Sequence, residues 1–405
     1  MSNTNLTVDW IGNEALALAH EKLNFIGTIN REFDSSFKPG YGSTIRIRVP
    51  SQYTVTNGRV IDVQDGVQQS TSISVATQTH VAMRYNSQEY AQDLVNFRRL
   101  HLEPAMATLA AIVEGRVIEG CTQAVANLVG VTTFPVTSLF YISQARGRLN
   151  QYLAPKSNRN LLIDSMTMAS MVNSFSNFTN PAREIGEQYR EGMVARTGMA
   201  DIYENEKVWA MANAATSSAA RLGDSSGGYV ITDPDDSITV SNNFFVPANG
   251  QVFTIAGVFA CHPETKEPYT HLQQFSIQSG STASSLVISP VIRLTGARKN
   301  VCQANGDDLP AAATSTATIS WAGTGTSTYI QPLMYQKDAF TFATAALPMM
   351  GGSESCTVKT FDGISLRVWE DTDIRNDEKI TRIDILYGFA ALRPQWACRI
   401  IGTGQ

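Results

Sequence analysis

Apolar and polar residues alternate strictly at two places early in the chain. Between Thr44 and Val49 the apolar side chains are Ile45, Ile47 and Val49, with Arg46 and Arg48 between them. From Thr71 to Tyr85, Ile73, Val75, Val81, Met83 and Tyr85 fall on one face and Ser72, Ser74, Gln78, His80 and Arg84 on the other. A two-residue period marks half-buried strands. Turn residues Asn57-Gly58 and Asp65-Gly66 separate the arms, so the pattern predicts one long hairpin from Tyr41 to Tyr85. A lone two-stranded ribbon is marginal in water. Its apolar face around Ile73 and Val75 is therefore expected to be finished by another copy of the chain.

Helical periodicity appears elsewhere. Residues 8–24 place Ile11, Ala15, Leu18, Ala19 and Leu23 at helical spacing. The longest such signal runs over 103–128, through Met106, Leu109, Val113, Val117, Cys121, Val125 and Leu128. Glu103-Pro104 suits its start, because proline is favoured at the first helical position and an acid complements the dipole there. A further helix fits Ser138–Leu153 and stops before Pro155. A short strand Leu161–Ile163 follows. Asp164 or Ser165 can then cap a helix that continues through Met168, Met171, Val172, Phe175 and Phe178.

From about Ala212 to Thr328 the helical pattern disappears. Ser, Thr, Ala and Gly dominate, and short strand patterns recur at Tyr229–Thr232, Ser237–Val240, Val252–Val258, Gln274–Ile277, Ser285–Ile288, Arg293–Leu294 and Ala317–Ser320. This predicts a small all-β module, barrel or sandwich, inserted into an α+β protein. The chain ends on paired strands: Ile364, Leu366 and Val368 alternate with Ser365, Arg367 and Trp369, and Ile383, Ile385, Tyr387 and Phe389 with Arg382, Asp384 and Leu386. Between them lies the acidic stretch Glu370 to Glu378.

Composition narrows the function. Charged residues are 17% of 405 and the net charge is −5, well below the usual charged fraction. Sparse charge suits a surface largely hidden in contacts, since interface cores are depleted of charge. Nucleic-acid binding needs clustered cations, and the richest site is the single pair Arg98-Arg99. Five scattered cysteines without a C-x-x-C suit a reducing compartment and free thiols. No signal-like start and no long apolar run is present, which predicts a soluble chain made in the cytosol.

Candidate chemistry is thin. Gly223-Asp224-Ser225-Ser226-Gly227 matches G-x-S-x-G, and His262 and His271 follow in hydrolase order. That elbow requires a strand before the serine and a helix after it; here the order is inverted, which suits a flexible linker. The acidic stretch fails the EF-hand pattern, because positions five, six and twelve from Asp371 hold Arg375, Asn376 and Arg382. The histidines lack zinc spacing. No catalytic, cofactor-binding or metal constellation emerges, and a structural, self-associating protein is the reading that remains.

Local wording then matters. Ile45-Arg46-Ile47-Arg48-Val49-Pro50, the run from Tyr141 to Pro155, Gln188-Tyr189-Arg190-Glu191-Gly192, Gly250 to Val258, His262-Pro263-Glu264-Thr265-Lys266, Leu272-Gln273-Gln274-Phe275 and Gln336 to Ala343 occur in that order. With the ribbon–helix–insert sequence of elements, they resemble the Hong Kong 97-type fold of tailed-phage major capsid proteins. Within it they resemble the coat family of short-tailed, P-twenty-two-like phages of Salmonella type.

The resemblance implies an α+β capsid fold with an inserted β domain. It implies an N-terminal arm (1–40), an E-loop hairpin (41–85), a peripheral domain (86–156) with a spine helix at 103–128, and axial segments at 157–212, 333–354 and 393–405. The insert would span 213–332, and peripheral strands and loop 355–392. It also implies a virion protein, assembled in the host bacterial cytoplasm into an icosahedral shell around packaged double-stranded DNA. Its partners would be itself, in hexamers and pentamers, together with a scaffolding protein and a portal, without a membrane. No Lys–Asn pair for covalent cross-linking is identifiable, so contacts are expected to be non-covalent. Candidate inter-subunit residues are Arg46, Arg48, Ile73, Val75, Arg98, Arg99, Glu370, Asp371, Asp373, Arg375, Asp377 and Glu378. The alternatives are a decoration or tail component, or a serine hydrolase using Ser225.

Overall fold

The computed structural model describes residues 8–33, 37, 42–56, 58–61, 63, 66, 68–86, 101–132, 136, 139–175, 200–223, 231–309, 317–349, 356–361, 364–373 and 375–403. The chain divides into two compact units. The first comprises Met1–Arg48, Ser70–Ile118 and Phe340–Leu392, and the second Val49–Gln69, Glu119–Ala339 and Arg393–Gln405.

An antiparallel sheet forms the first unit. The long strand Glu378–Ala391 is its axis, flanked by Ile364–Asp373 and, on the other side, by Thr77–Asn86 and Phe340–Thr344. Cys356–Phe361 adds the outer edge beyond Ile364–Asp373. The apolar face is buried at Ile364, Leu366, Val368, Ile383, Ile385 and Tyr387 and half-buried at Phe389, but Ser365, Arg367 and Asp384 on the opposite face are buried as well. Helix Val8–Lys22 packs on the two strands at that edge and buries Ile11, Ala15, Leu18 and Ala19. Gly12 makes the close approach, since a β-carbon there would lie 3.1 Å from Thr357 Cγ2.

The hairpin expected from Tyr41 to Tyr85 is corrected at its second arm. Gln69–Ser74 pairs with Thr44–Val49 as a two-stranded ribbon. Thr77–Asn86 leaves that ribbon and pairs with Glu378–Tyr387, in register from Glu378↔Asn86 to Tyr387↔Thr77. The change of sheet occurs where the backbone of Ser74 and Val75 lies against Gly388.

Ile73 and Val75 are buried there with Phe37 and Ala343, and Ile45, Ile47, Leu386 and Ala390 pack against them. The expectation that a second copy completes the face at Ile73 and Val75 is corrected. The subunit's own sheet reaches these side chains first.

The long helix spans Glu103–Gln123, shorter than the 103–128 expected. After a turn closed by Val125 N to Thr122 O (3.1 Å), Leu128–Gly130 becomes a strand parallel to Arg399–Ile401. Inside the helix, buried Glu114 accepts a hydrogen bond from Phe25 N at 2.5 Å.

The second unit holds two sheets. In one, the order is Asp201–Glu204, Arg159–Ile163, Leu333–Gln336, Ala397–Thr403, Thr328–Ile330 and Ala210–Ala212, with Leu128–Gly130 also on Ala397–Thr403. Helix Leu139–Gln151 covers it, burying Ile142, Ala145 and Leu149 against Leu161, Met334 and Ile400. Asp164 Oδ2 accepts from Thr167 N at 3.0 Å, which caps helix Ser165–Phe175 as the sequence suggested.

The inserted module is antiparallel throughout. Strands Arg221–Leu222, Asp235–Ser241, Ser285–Ile292, Pro268–Ile277, Val252–Cys261 and Ile319–Trp321 neighbour one another in turn. Leu222 N to Ala317 O (2.9 Å) and Ile319 N to Ala220 O (3.0 Å) join the last to the first and close a barrel. Closure removes exposed sheet edges. Phe253, Ile255, Phe275, Ile277, Leu286 and Ile288 fill its interior. The two chain crossings at its root lie side by side, with Ala212 opposite Thr328 and Asn213 N bonded to Ser327 O at 2.9 Å.

Two strand expectations in the module differ. Arg293–Leu294 is not a strand; Val301–Cys302 takes that role, pairing with Phe259 and Ala260. In Tyr229–Thr232, Tyr229 and Val230 lie outside the described residues, and Ile231 and Thr232 belong to no strand.

Candidate functional site

Among the described residues, the ribbon carries the most exposed large apolar side chains. Arg46 and Arg48 point outward from its first strand, while Ile45 and Ile47 are half-buried. Beyond them, Val55, Val60, Ile61 and Val63 are 84 to 93% exposed, and Tyr53 is also exposed. Several large apolar side chains open to water on one loop make it a candidate contact surface. The alternation along the chain points to an unfinished apolar face at Ile73 and Val75 and is silent on this tip. The available signal was Val60-Ile61 and Val63 lying between two turn dipeptides, where no core-facing period explains them.

The acidic turn is mostly self-satisfied. Arg375 N donates to Asp373 Oδ1 (2.9 Å), and Asn376 Nδ2 donates to Asp373 Oδ2 (2.8 Å). Glu378 pairs with Arg84 at 3.2 Å, an exposed pair worth little. Glu370 is buried; it binds Lys379 at 2.7 Å and accepts from Thr381 Oγ1 at 3.1 Å. Glu370 is therefore corrected as a contact candidate, because its own sheet encloses its carboxylate. Asp371, Arg375 and Asp377 remain exposed, and Arg98 and Arg99 lie outside the described residues.

Behind this turn sits a buried ionic centre. Asp384 is fully buried between Arg367 (Nη2 to Oδ2, 2.7 Å) and Arg382 (Nε to Oδ1, 2.7 Å), and Gln78 Nε2 donates to Oδ1 at 3.2 Å. Burial alone would raise its pKa. The hydrogen bonds from Arg367 and Arg382 outweigh that and hold the carboxyl below its ordinary value.

In the second unit, fully buried Arg399 reaches from the C-terminal strand to the root of the module. Its Nη1 donates to Gly250 O (2.8 Å) and Gln331 Oε1 (2.9 Å). Burial lowers its pKa to about 9, so it stays charged at neutral pH. Gly250 is required at this point: its φ is +80° and a β-carbon would lie 2.7 Å from Trp209.

The catalytic alternative gains nothing from geometry. Of the G-x-S-x-G stretch only Gly223 is described, and Ser225 lies outside. His262 Nδ1 accepts from Thr265 N (3.1 Å) and Glu264 N (3.2 Å), so it holds a turn. His271 stacks on Tyr269 at 5.3 Å, and burial, aided by Arg148, lowers its pKa to about 4. Among the described residues no group of three metal-binding side chains gathers. All five cysteines are buried and free, and burial raises the Cys398 thiol to about 12. No described helix is long and apolar enough to cross a membrane.

A family model described as P22 coat protein, gene protein 5, matches residues 43–402. No curated protein matches the chain. Similar solved structures include one titled Mycobacterium phage Che8, at 10% identity and TM-score 0.49, covering 93% of this chain and 90% of that one. Another is the capsid of Cyanophage P-SCSP1u, at 9% identity and TM-score 0.46, covering 91% and 86%. A virus-like particle from Pyrococcus furiosus aligns over 97% and 98%, at 9% identity and TM-score 0.40.

Proposed function

The chain belongs to the P22 coat protein family, a family of phage capsid proteins, and from that premise we propose that this major capsid protein self-assembles through non-covalent contacts into an icosahedral shell around packaged double-stranded DNA. The observation that carries the assembly reading is the ribbon tip. Val55, Val60, Ile61 and Val63 expose apolar surface that the single chain leaves wet, and a neighbouring copy is the partner a repeating shell supplies. Each contact is modest, and repetition over many copies multiplies it. A net charge of −5 agrees with a container whose wall does not bind its DNA tightly.

In this proposal the ribbon acts as the E-loop and the helix Glu103–Gln123 as the spine. The sheet around Glu378–Ala391 belongs to the peripheral domain. The sheet carrying Ala397–Thr403 belongs to the axial domain, with the barrel inserted into it. Scaffolding and portal proteins join during assembly in the bacterial cytoplasm. Arg46, Arg48, Asp371, Asp373, Arg375, Asp377 and Glu378 are carried forward as candidate inter-subunit contacts.

The test is assembly. The purified chain, mixed with the scaffolding protein of its phage, is examined by sedimentation and negative-stain electron microscopy. Closed shells support the proposal. Persistent monomers, or rings and tubes in place of shells, overturn it.

A further inference from the structure

A cavity of about 330 Å³ lies within the second unit, where the ribbon's Pro50 and Gln69 meet the mouth of the barrel. Four cations of the barrel line it: Lys266, Arg293, Arg298 and Lys299. The volume is in the range of small-ligand sites.

The cations are held by the fold. The turn Gly296–Arg298 carries Arg298, and Arg293 N donates to Asn300 Oδ1 at 2.9 Å, which anchors the strand end bearing Arg293. Lys266 Nζ donates to Pro263 O at 2.6 Å, and Lys299 Nζ pairs with Asp308 at 2.6 Å. Asp308 offsets the charge of Lys299. Burial and the charge of Arg293 both lower the Arg298 pKa, and burial, with Lys299 adding to it, lowers that of Lys266. Like charges are thus crowded around a hollow, at a cost that a bound anion would relieve.

We infer that this cavity binds a small phosphorylated anion of the diphosphate class. Among the described residues that line the wall none is a carboxylate, and four cations around one hollow favour a ligand of more than one negative charge. Paired guanidiniums match phosphoryl oxygens in planar, bidentate geometry. Because Pro50 and Gln69 form part of the wall, an occupied cavity ties these two residues to the barrel.

Calorimetric titration of the purified full chain with pyrophosphate, at fixed ionic strength, tests this. The expected result is saturable binding of one equivalent per chain, weakened at least tenfold by Arg293→Ala and by Arg293→Gln, with circular dichroism confirming that both variants are folded. Phosphorus NMR of pyrophosphate supplies a second readout that does not depend on heat. Absence of saturable binding, or binding that both variants leave unchanged, overturns the inference. So does binding of a peptide of residues 370–378 in place of pyrophosphate, which would make the cavity a contact between copies. None of these outcomes depends on whether the chain forms shells.

Discussion

Gly388 and Val75 face each other so closely that a β-carbon on Gly388 would lie 2.8 Å from the Cα of Val75. The neighbour is backbone, which cannot swing aside as a side chain could. Gly388 is also paired with Ala343 in the middle of the sheet. This is the point where the ribbon leaves its own plane and its second arm passes into the sheet. Gly388→Ala should therefore cost about 2 to 3 kcal/mol through overpacking, read as a lower urea midpoint of the monomer.

The ribbon now has two kinds of apolar residue, and substitutions separate them. Ile73→Asp buries a charge in a filled core and should cost at least about 3 kcal/mol, unfolding much of the monomer. Ile61→Asp, on the exposed tip, should leave monomer stability within about 0.5 kcal/mol while blocking shell formation. Urea melts paired with sedimentation decide it; a folded Ile73→Asp monomer would show that its pocket is not core.

Asp384 links the sheet to acid stability. Its folded pKa lies below the ordinary carboxylate value, so its contribution is complete above about pH 4 and is lost as the pH falls through the lower folded value. Asp384→Asn leaves two arginines facing a neutral amide. It should cost about 3 kcal/mol at pH 7 and flatten the acid limb of a stability-versus-pH curve.

His271 acts in a different window. Its pKa falls from 6.5 to about 4 on folding, so the folded chain prefers the neutral ring. Its contribution to stability is complete above pH 6.5 and declines as the pH drops from 6.5 toward 4, where the unfolded chain binds the extra proton. His271→Phe keeps the stack on Tyr269 and should remove the slope between pH 6.5 and 4. Thermal melts across that range check it.

Arg399 offers a comparison of shape against charge. Arg399→Ala leaves a hole and strips Gly250 O and Gln331 of their donor, for a loss of about 3 kcal/mol. Arg399→Met keeps most of the volume and removes a buried charge, so it should cost less. Denaturation of the two variants side by side tests the order. A costlier Arg399→Met would mean the buried charge itself favours the fold.

Much of the fold was legible along the chain. The helix Val8–Lys22, the cap at Asp164, the strand alternation through Leu366 and Ile385, and the all-β insert follow from periods and caps that neighbouring residues set. The break in the ribbon was not legible. Ile73, Val75, Val81 and Met83 keep one parity straight through Ala76, so no local signal separates the two strands. The burial of Glu370 and Asp384 was hidden for the same reason: an alternating pattern names two faces without saying whether the polar one meets water or arginine.

The sequence by itself determined the kinds of element, the inserted β module and the family. Those are written in local spacing and colinear wording, which survive without knowledge of what touches what. Tertiary structure alone decided where the ribbon is finished by its own subunit and where it is left open. Neighbours such as Gly388 and Val75 are far apart in the chain, and only close packing of backbone against backbone selects them. Ile73 and Val75 became core through that contact, and the unfinished surface moved outward to Val60 and Ile61.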